Sequence, residues 1–201
     1  MAQNFRNEKG QNFRNRHHGS VEDLAGLSKT IRLTMGTRGG AQPSVKRTVL
    51  SMVVKHAASH RLSHLAEDLQ AFEVEMLDVK RTFVEKLFTI HSAFELDRAT
   101  NKTRHYYDLS RLCGLPEIRE FAGSDGYREI FKSVRQYSQE NFPDDRMPKE
   151  DSFSNSPALS PDPEGLAALK RNYEREKHLF FVRPPTIDEI LGVIHLLLPK
   201  L

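Results

Sequence analysis

FEVEMLDVKRTFVEKLFTIHSAFELDRATNKTRHYYDLSRL, residues 72–112, is the stretch whose periodicity decides the fold. Phe72, Val74 and Met76 alternate with Glu73 and Glu75, the period of two expected of a strand with one buried face, and Asp78 ends it. From Arg81 the period changes. Phe83, Val84, Leu87, Phe88, Ile90, His91 and Phe94 recur at helical spacing, with Thr82, Glu85, Thr89 and Ser92 on the opposite side. Lys86 falls at the border of the apolar stripe, where a lysine lays its stem over the core and presents its ammonium to a cleft. After the polar linker Asp97 to Thr103, a second helix runs from Arg104 to Cys113. On it His105, Leu109, Leu112 and Cys113 share one side, while Arg104, Asp108 and Arg111 line up at i, i+4 and i+7 on the other.

Working outward, Ile31 to Met35 alternates as a strand and Thr37 to Ala41 is a glycine turn without the Gly-Lys-Ser/Thr ending of a phosphate loop. Pro43 is placed to begin a helix with Val45, Val49, Met52, Val53 and His56 as its apolar stripe. His56, His60 and His64 follow at i, i+4 and i+8, read as a solvated helix edge rather than a zinc site because lysine and arginine flank them. Downstream, Pro116 starts a short helix, Asp125 caps another carrying Tyr127, Ile130, Phe131, Val134 and Ser138, and five of the ten prolines fall between Pro143 and Pro163, a strap too proline-rich for regular structure. Leu166, Leu169, Tyr173 and Phe180 mark the next helix. Thr186-Ile187-Asp188-Glu189 is a capping box opening the last, whose broad apolar face requires a partner helix, most simply Leu166 to Phe180.

The fold class is therefore α+β and mainly helical, with two strands, Ile31–Met35 and Phe72–Leu77. Two strands alone do not make an independently stable sheet. Neighbouring strands are therefore expected to be missing or supplied by another chain, which allows self-association through the open edge. Three parts are expected: a basic N-terminal tail over 1–29, a core of strands and helices over 30–113, and a helical region over 114–201 containing the strap 143–163. Within the tail, Gln3-Asn4-Phe5-Arg6-Asn7 returns as Gln11-Asn12-Phe13-Arg14-Asn15, a polar repeat with the composition of a disordered segment.

Composition excludes little but bounds the partners. A formal net charge of +3 with a pI near 9.0 is compatible with RNA or a nucleotide. The single cysteine, Cys113, excludes an internal disulfide and fits a reducing cytoplasm. The apolar run Ile190 to Leu198 is too short to span a bilayer, so no membrane is expected.

The run Arg81-Thr82-Phe83-Val84-Glu85-Lys86-Leu87 followed by Arg104-His105-Tyr106-Tyr107-Asp108-Leu109, with Ile31 to Gly40 and Pro43 upstream, resembles the AbiEii/AbiGii nucleotidyltransferase toxins. That resemblance implies a remnant of a polymerase-β-like sheet followed by a C-terminal helical bundle. It implies a transferase that moves a nucleotide from an NTP to an acceptor, tRNA in some relatives, with Mg2+, in a toxin–antitoxin or phage-defence system with a cognate antitoxin. By position Lys86 meets the triphosphate, Asp108 is the acid of the downstream Asp-Leu motif, and Arg81 and Arg104 contact nucleotide or acceptor. Two departures stand beside the match. The Gly-Thr/Ser turn with its Asp-x-Asp metal pair is absent, Gly19-Ser20 being followed only by Glu22 and Asp23, and Thr34 occupies a strand position where relatives often carry an acid. The chain thus reads as the C-terminal part of such an enzyme, with no metal ligand of its own, or as an inactive remnant that acts as a helical binding module.

Overall fold

A computed structural model describes residues 12–15, 31–34, 43–62, 71–96, 102–176 and 183–201. The chain divides into two units, Met1–Gly40 and Ala41–Leu201. In the first, β1 (Asn12–Asn15) pairs antiparallel with β2 (Ile31–Thr34), Asn12 opposite Thr34 and Asn15 opposite Ile31. A strand therefore stands inside the segment expected as a tail. Its backbone groups are satisfied by a partner some twenty residues away in sequence, a pairing that polar composition does not encode.

The second unit opens with a two-stranded antiparallel sheet of β3 (Ser44–Val49) and β4 (Phe72–Leu77), Ser44 opposite Leu77 and Val49 opposite Phe72. The helix expected from Pro43 is thus a strand over its first six residues. Val45 and Val49 satisfy a period of two as well as a period of four, and the branched residues Val45, Thr48 and Val49 favour the extended backbone. Helix begins only at α1 (Met52–Ser59), where the Ser51 hydroxyl accepts from the Val54 N–H at 3.2 Å. The face shared by Val45, Val49, Phe72, Val74 and Met76 does not bury as its alternation predicts: Phe72 is 57% and Met76 47% exposed.

Seven α-helices are described, and α2 to α7 build the core. α2 (Val79–Glu95) starts at Asp78, whose carboxylate accepts from the Lys80 N–H at 2.7 Å. Phe83, Val84, Leu87, Phe88, Ile90 and His91 are buried, as the helical period requires. Ser92, expected on the polar side, is buried too, because its hydroxyl accepts from the Arg146 N–H of the strap at 3.0 Å. α3 (Thr103–Cys113) buries Tyr106, Leu109 and Cys113; α4 (Pro116–Phe121) is followed by Gly123, whose φ of +79° favours glycine. Ser124 rather than Asp125 caps α5 (Asp125–Asn141), accepting from the Tyr127 N–H at 3.2 Å.

Between α5 and α6 (Pro163–Glu176) the proline-rich strap has no regular structure yet supplies core. Phe153, Ala158 and Leu159 are fully enclosed. The Phe153 ring lies 5.0 Å from Phe88 and 5.4 Å from Phe131, centroid to centroid. Helices fasten it at two points: the Tyr106 hydroxyl donates to the Ala158 carbonyl at 3.0 Å, and His91 Nδ1 meets the Ser156 hydroxyl at 2.8 Å. A capping box opens α7 (Ile187–His195), with the Glu189 N–H on the Thr186 hydroxyl at 3.2 Å and the Thr186 N–H on the Glu189 carboxylate at 2.6 Å. Its apolar face packs chiefly on α3, not on α6 as expected, because α3 offers Tyr106, Leu109 and Cys113. The expected capped helix 20–27, the turn 37–41, His64 and Phe180 lie outside the described residues. No helix among the described residues is long and apolar enough to cross a membrane.

Candidate functional site

The polar edges of α2 and α3 meet at Lys86, His105 and Asp108. Lys86 sits where the apolar stripe of α2 ends, so its stem is carried along the core and its ammonium emerges between the helices with a fifth of the side chain exposed. Its Nζ donates to Asp108 Oδ2 at 2.7 Å and lies 3.3 Å from His105 Nδ1. Asp108 and His105 are one turn apart on α3, with His105 Nδ1 4.0 Å from Asp108 Oδ2. Asp108 keeps 45% of its side chain in water, so the ion pair contributes on the order of 1 kcal/mol or less to stability. Its consequence is local. It fixes where a positive charge stands on the surface.

His105 was assigned by spacing to the apolar side of α3, and the structure adds it to the site. Burial, then the nearby Lys86 and Lys102 cations, push its pKa down to about 4, with Asp108 pulling the other way and Arg104 adding to the depression. The ring is neutral at pH 7 and available as an acceptor. Its position three residues before Asp108 was the signal that spacing offered.

Arg104 stands at the start of α3 with 64% of its side chain exposed, its Nε 4.0 Å from the Glu176 carboxylate at the end of α6. The same carboxylate accepts from the Thr103 hydroxyl. Arg81, expected to reach nucleotide or acceptor, is placed differently. It is 4% exposed, one turn and a half before Lys86, and its guanidinium donates from Nε to Glu85 at 2.8 Å and from Nη1 to Ser133 of α5 at 3.1 Å. Burial raises the Glu85 carboxyl above its ordinary range, against the lowering from Arg81. The Arg81–Ser133 bond therefore ties α2 to α5.

Among the described residues no group of three or more His, Cys, Asp or Glu side chains could hold a metal ion. Asp108 brings one carboxylate, already occupied on one oxygen by an ammonium, whereas a magnesium site needs carboxylate oxygens free to share an octahedral ion. The described residues do not fit a resident magnesium ion. An open pocket of ≈ 550 Å³ lies elsewhere, lined by Lys80, Glu117, Glu120, Phe121, Ser124 and Glu129 among others. Three carboxylates disfavour a polyphosphate there. The Lys86 edge is the better anion site.

Residues 3–193 match the family of the nucleotidyl transferase AbiEii toxin of type IV toxin–antitoxin systems, and the chain belongs to that family. The match runs through the Lys86 and Asp108 motifs and through β1 and β2 alike. No curated protein and no solved structure matches the chain.

Proposed function

We propose that this chain takes part in moving a nucleotide from an NTP to an acceptor, tRNA being the acceptor in some relatives, within the cytoplasm and under the control of a cognate antitoxin in phage defence. The observation that carries the proposal is the Lys86 ammonium, oriented by Asp108 at 2.7 Å at the junction of α2 and α3. Nucleotidyl transfer depends on positioning and charge neutralisation more than on covalent chemistry by the protein. An ammonium held in one place is suited to a triphosphate oxygen. Asp108 orients it, and the exposed Arg104 adds charge for nucleotide or acceptor. Arg81 acts at one remove, by holding the helix that carries Lys86. In the active family the metal is supplied by an Asp-x-Asp pair; no residue of this chain is assigned to that role, and no step is drawn through the ion.

The test is transfer of label from an α-labelled NTP to a total RNA preparation in the presence of magnesium. The expected result is labelled RNA from the parent chain and none from Lys86→Ala at equal folded concentration. No labelled RNA from a well-folded parent would sink the catalytic reading. A second reading, a helical binding module without turnover, is favoured by the absence of a carboxylate cluster among the described residues. It requires saturable binding of RNA, an antitoxin or a second copy with no turnover at any NTP.

A further inference from the structure

We infer that His105 is a positioning residue of the nucleotide site: its Nδ1 and the Asp108 carboxylate each accept one N–H of Lys86, which directs the third N–H of the ammonium to the ligand phosphate. The inference rests on the reading of Lys86 as the triphosphate contact. It goes beyond that reading by naming what fixes the direction of the contact.

The geometry is the argument. An ammonium has three donors disposed tetrahedrally and no acceptor. Asp108 Oδ2 takes one at 2.7 Å and His105 Nδ1 stands at 3.3 Å from the same nitrogen. With one partner the ammonium still rotates about its bond to the carbon and swings on its stem. With two partners on different positions of α3, both motions are restrained, and the remaining donor has one direction. Lys86 has no further partner among the described residues, and a fifth of its side chain faces solvent. Both partners come from one rigid element, since Asp108 and His105 are a turn apart on a helix whose other side is core. A site mounted this way keeps its angle better than one mounted on a loop.

Accepting from Lys86 also assigns the ring. Nδ1 must carry no proton, so the proton sits on Nε2, which becomes a second neutral donor on a ring with a third of its surface exposed. The depressed basicity of His105 is consistent with this, since a protonated ring cannot accept from Lys86. The groups that face it are Lys86 from α2, Arg104 and Asp108 on α3, and Lys102 at the start of that helix. Three cations surround the ring against one carboxylate. Burial first, and then these cations, keep it neutral, and the cations make the same spot attractive to a polyanion.

The experiment uses the full chain and equilibrium dialysis of ATP, GTP, CTP and UTP, each with and without magnesium, at pH 7. Four proteins are compared: the parent, Lys86→Ala, His105→Leu and His105→Asn. Asparagine places its carbonyl oxygen near the position of Nδ1 and restores the acceptor; leucine removes it. The expected result is binding weakened about fivefold by His105→Leu, the scale of one net hydrogen bond, with His105→Asn within about twofold of the parent. Equal binding by parent and His105→Leu overturns the inference while leaving the nucleotide site intact, provided Lys86→Ala has lost binding. Retained binding in Lys86→Ala, or none in the parent, overturns the nucleotide reading and the inference with it. A readout independent of any variant's folding is the tautomer of His105 in the parent chain, by long-range proton–nitrogen correlation. An unprotonated Nδ1 at pH 7 is expected, and a proton on Nδ1 refutes the arrangement without reference to nucleotide.

Discussion

Arg81→Met separates a residue that holds the site from one that touches the ligand. Methionine keeps the length and apolar stem of the arginine but removes the guanidinium from Glu85 and Ser133. Only 5% of the Arg81 side chain and 20% of Glu85 are exposed, so the substitution leaves a carboxylate with little water to replace its partner. Removing one member of a fully buried pair costs about 3–5 kcal/mol. Glu85 retains some solvent and can take up a proton, and Ser133 is exposed, which brings the expected cost to about 2–3 kcal/mol against a total stability on the order of 5–15 kcal/mol. The sign with pH follows from Glu85. Burial already raises its pKa, and without Arg81 it rises further, so the folded state holds a proton over a range where the unfolded chain has lost it. The deficit is therefore largest at neutral pH and shrinks as pH falls and Glu85 protonates in both states. Urea unfolding at pH 7 and pH 5 measures both the loss and its recovery. Adding Glu85→Gln to Arg81→Met should restore part of the loss. An Arg81→Met chain with unchanged stability and abolished nucleotide binding would refute the reasoning and return Arg81 to the ligand.

Three further outcomes are expected. His91 and His105 both have lowered pKa values in the fold, so the unfolded chain binds more protons below the ordinary histidine value of 6.5. Stability should be level above that pH and fall in acid, with a slope of up to about 1.4 kcal/mol per pH unit for each proton, and His91→Gln should reduce that slope in pH-dependent urea melts. Phe153→Ala removes a strap ring packed on Phe88 and Phe131 and should cost about 3–5 kcal/mol by the same assay; a loss below about 1 kcal/mol would mean that the strap merely drapes over a finished core. Thr186→Ala deletes the cap of α7 and should cost about 1 kcal/mol. The Glu189 carboxyl, held below its usual range chiefly by the Thr186 N–H and then by its hydroxyl, should titrate higher in the same variant by carbon-detected NMR.

Elements with long-period apolar patterns and explicit caps were legible in the sequence. The boundaries of β4, the buried stripe of α2 and the capping box at Thr186 all follow from residues within a few positions of each other. What escaped depended on partners distant in the chain. Val45 and Val49 fit two periods, and only the register with Phe72–Leu77 chose the strand. Ser92 is polar by composition and buried because Arg146 arrives from 54 residues away. The burial of Tyr106 answers to Ala158, and the preference of α7 for α3 to side chains on a helix four elements earlier. At the candidate site, Lys86 and Asp108 were identified by resemblance and brought together by the fold. The placement of Arg81 in the interior and of His105 beside the ammonium needed the helix faces to be docked before either could be seen.

The strap also bears on the order in which the chain assembles. Lys86 and Asp108 are 22 residues apart, a closure that a helical hairpin completes by itself. His91 and Ser156 are 65 residues apart, and Tyr106 and Ala158 are 52. Contacts of that span carry the loop-closure entropy that slows folding, even in a protein made mostly of helices. The α2–α3 hairpin therefore presents its basic and acidic pair early, and the irregular segment that seals Phe153 over the core arrives late. A chain interrupted between those two events would carry the Lys86–Asp108 pair on an unsealed scaffold, with the aromatic cluster open to water and to neighbouring chains.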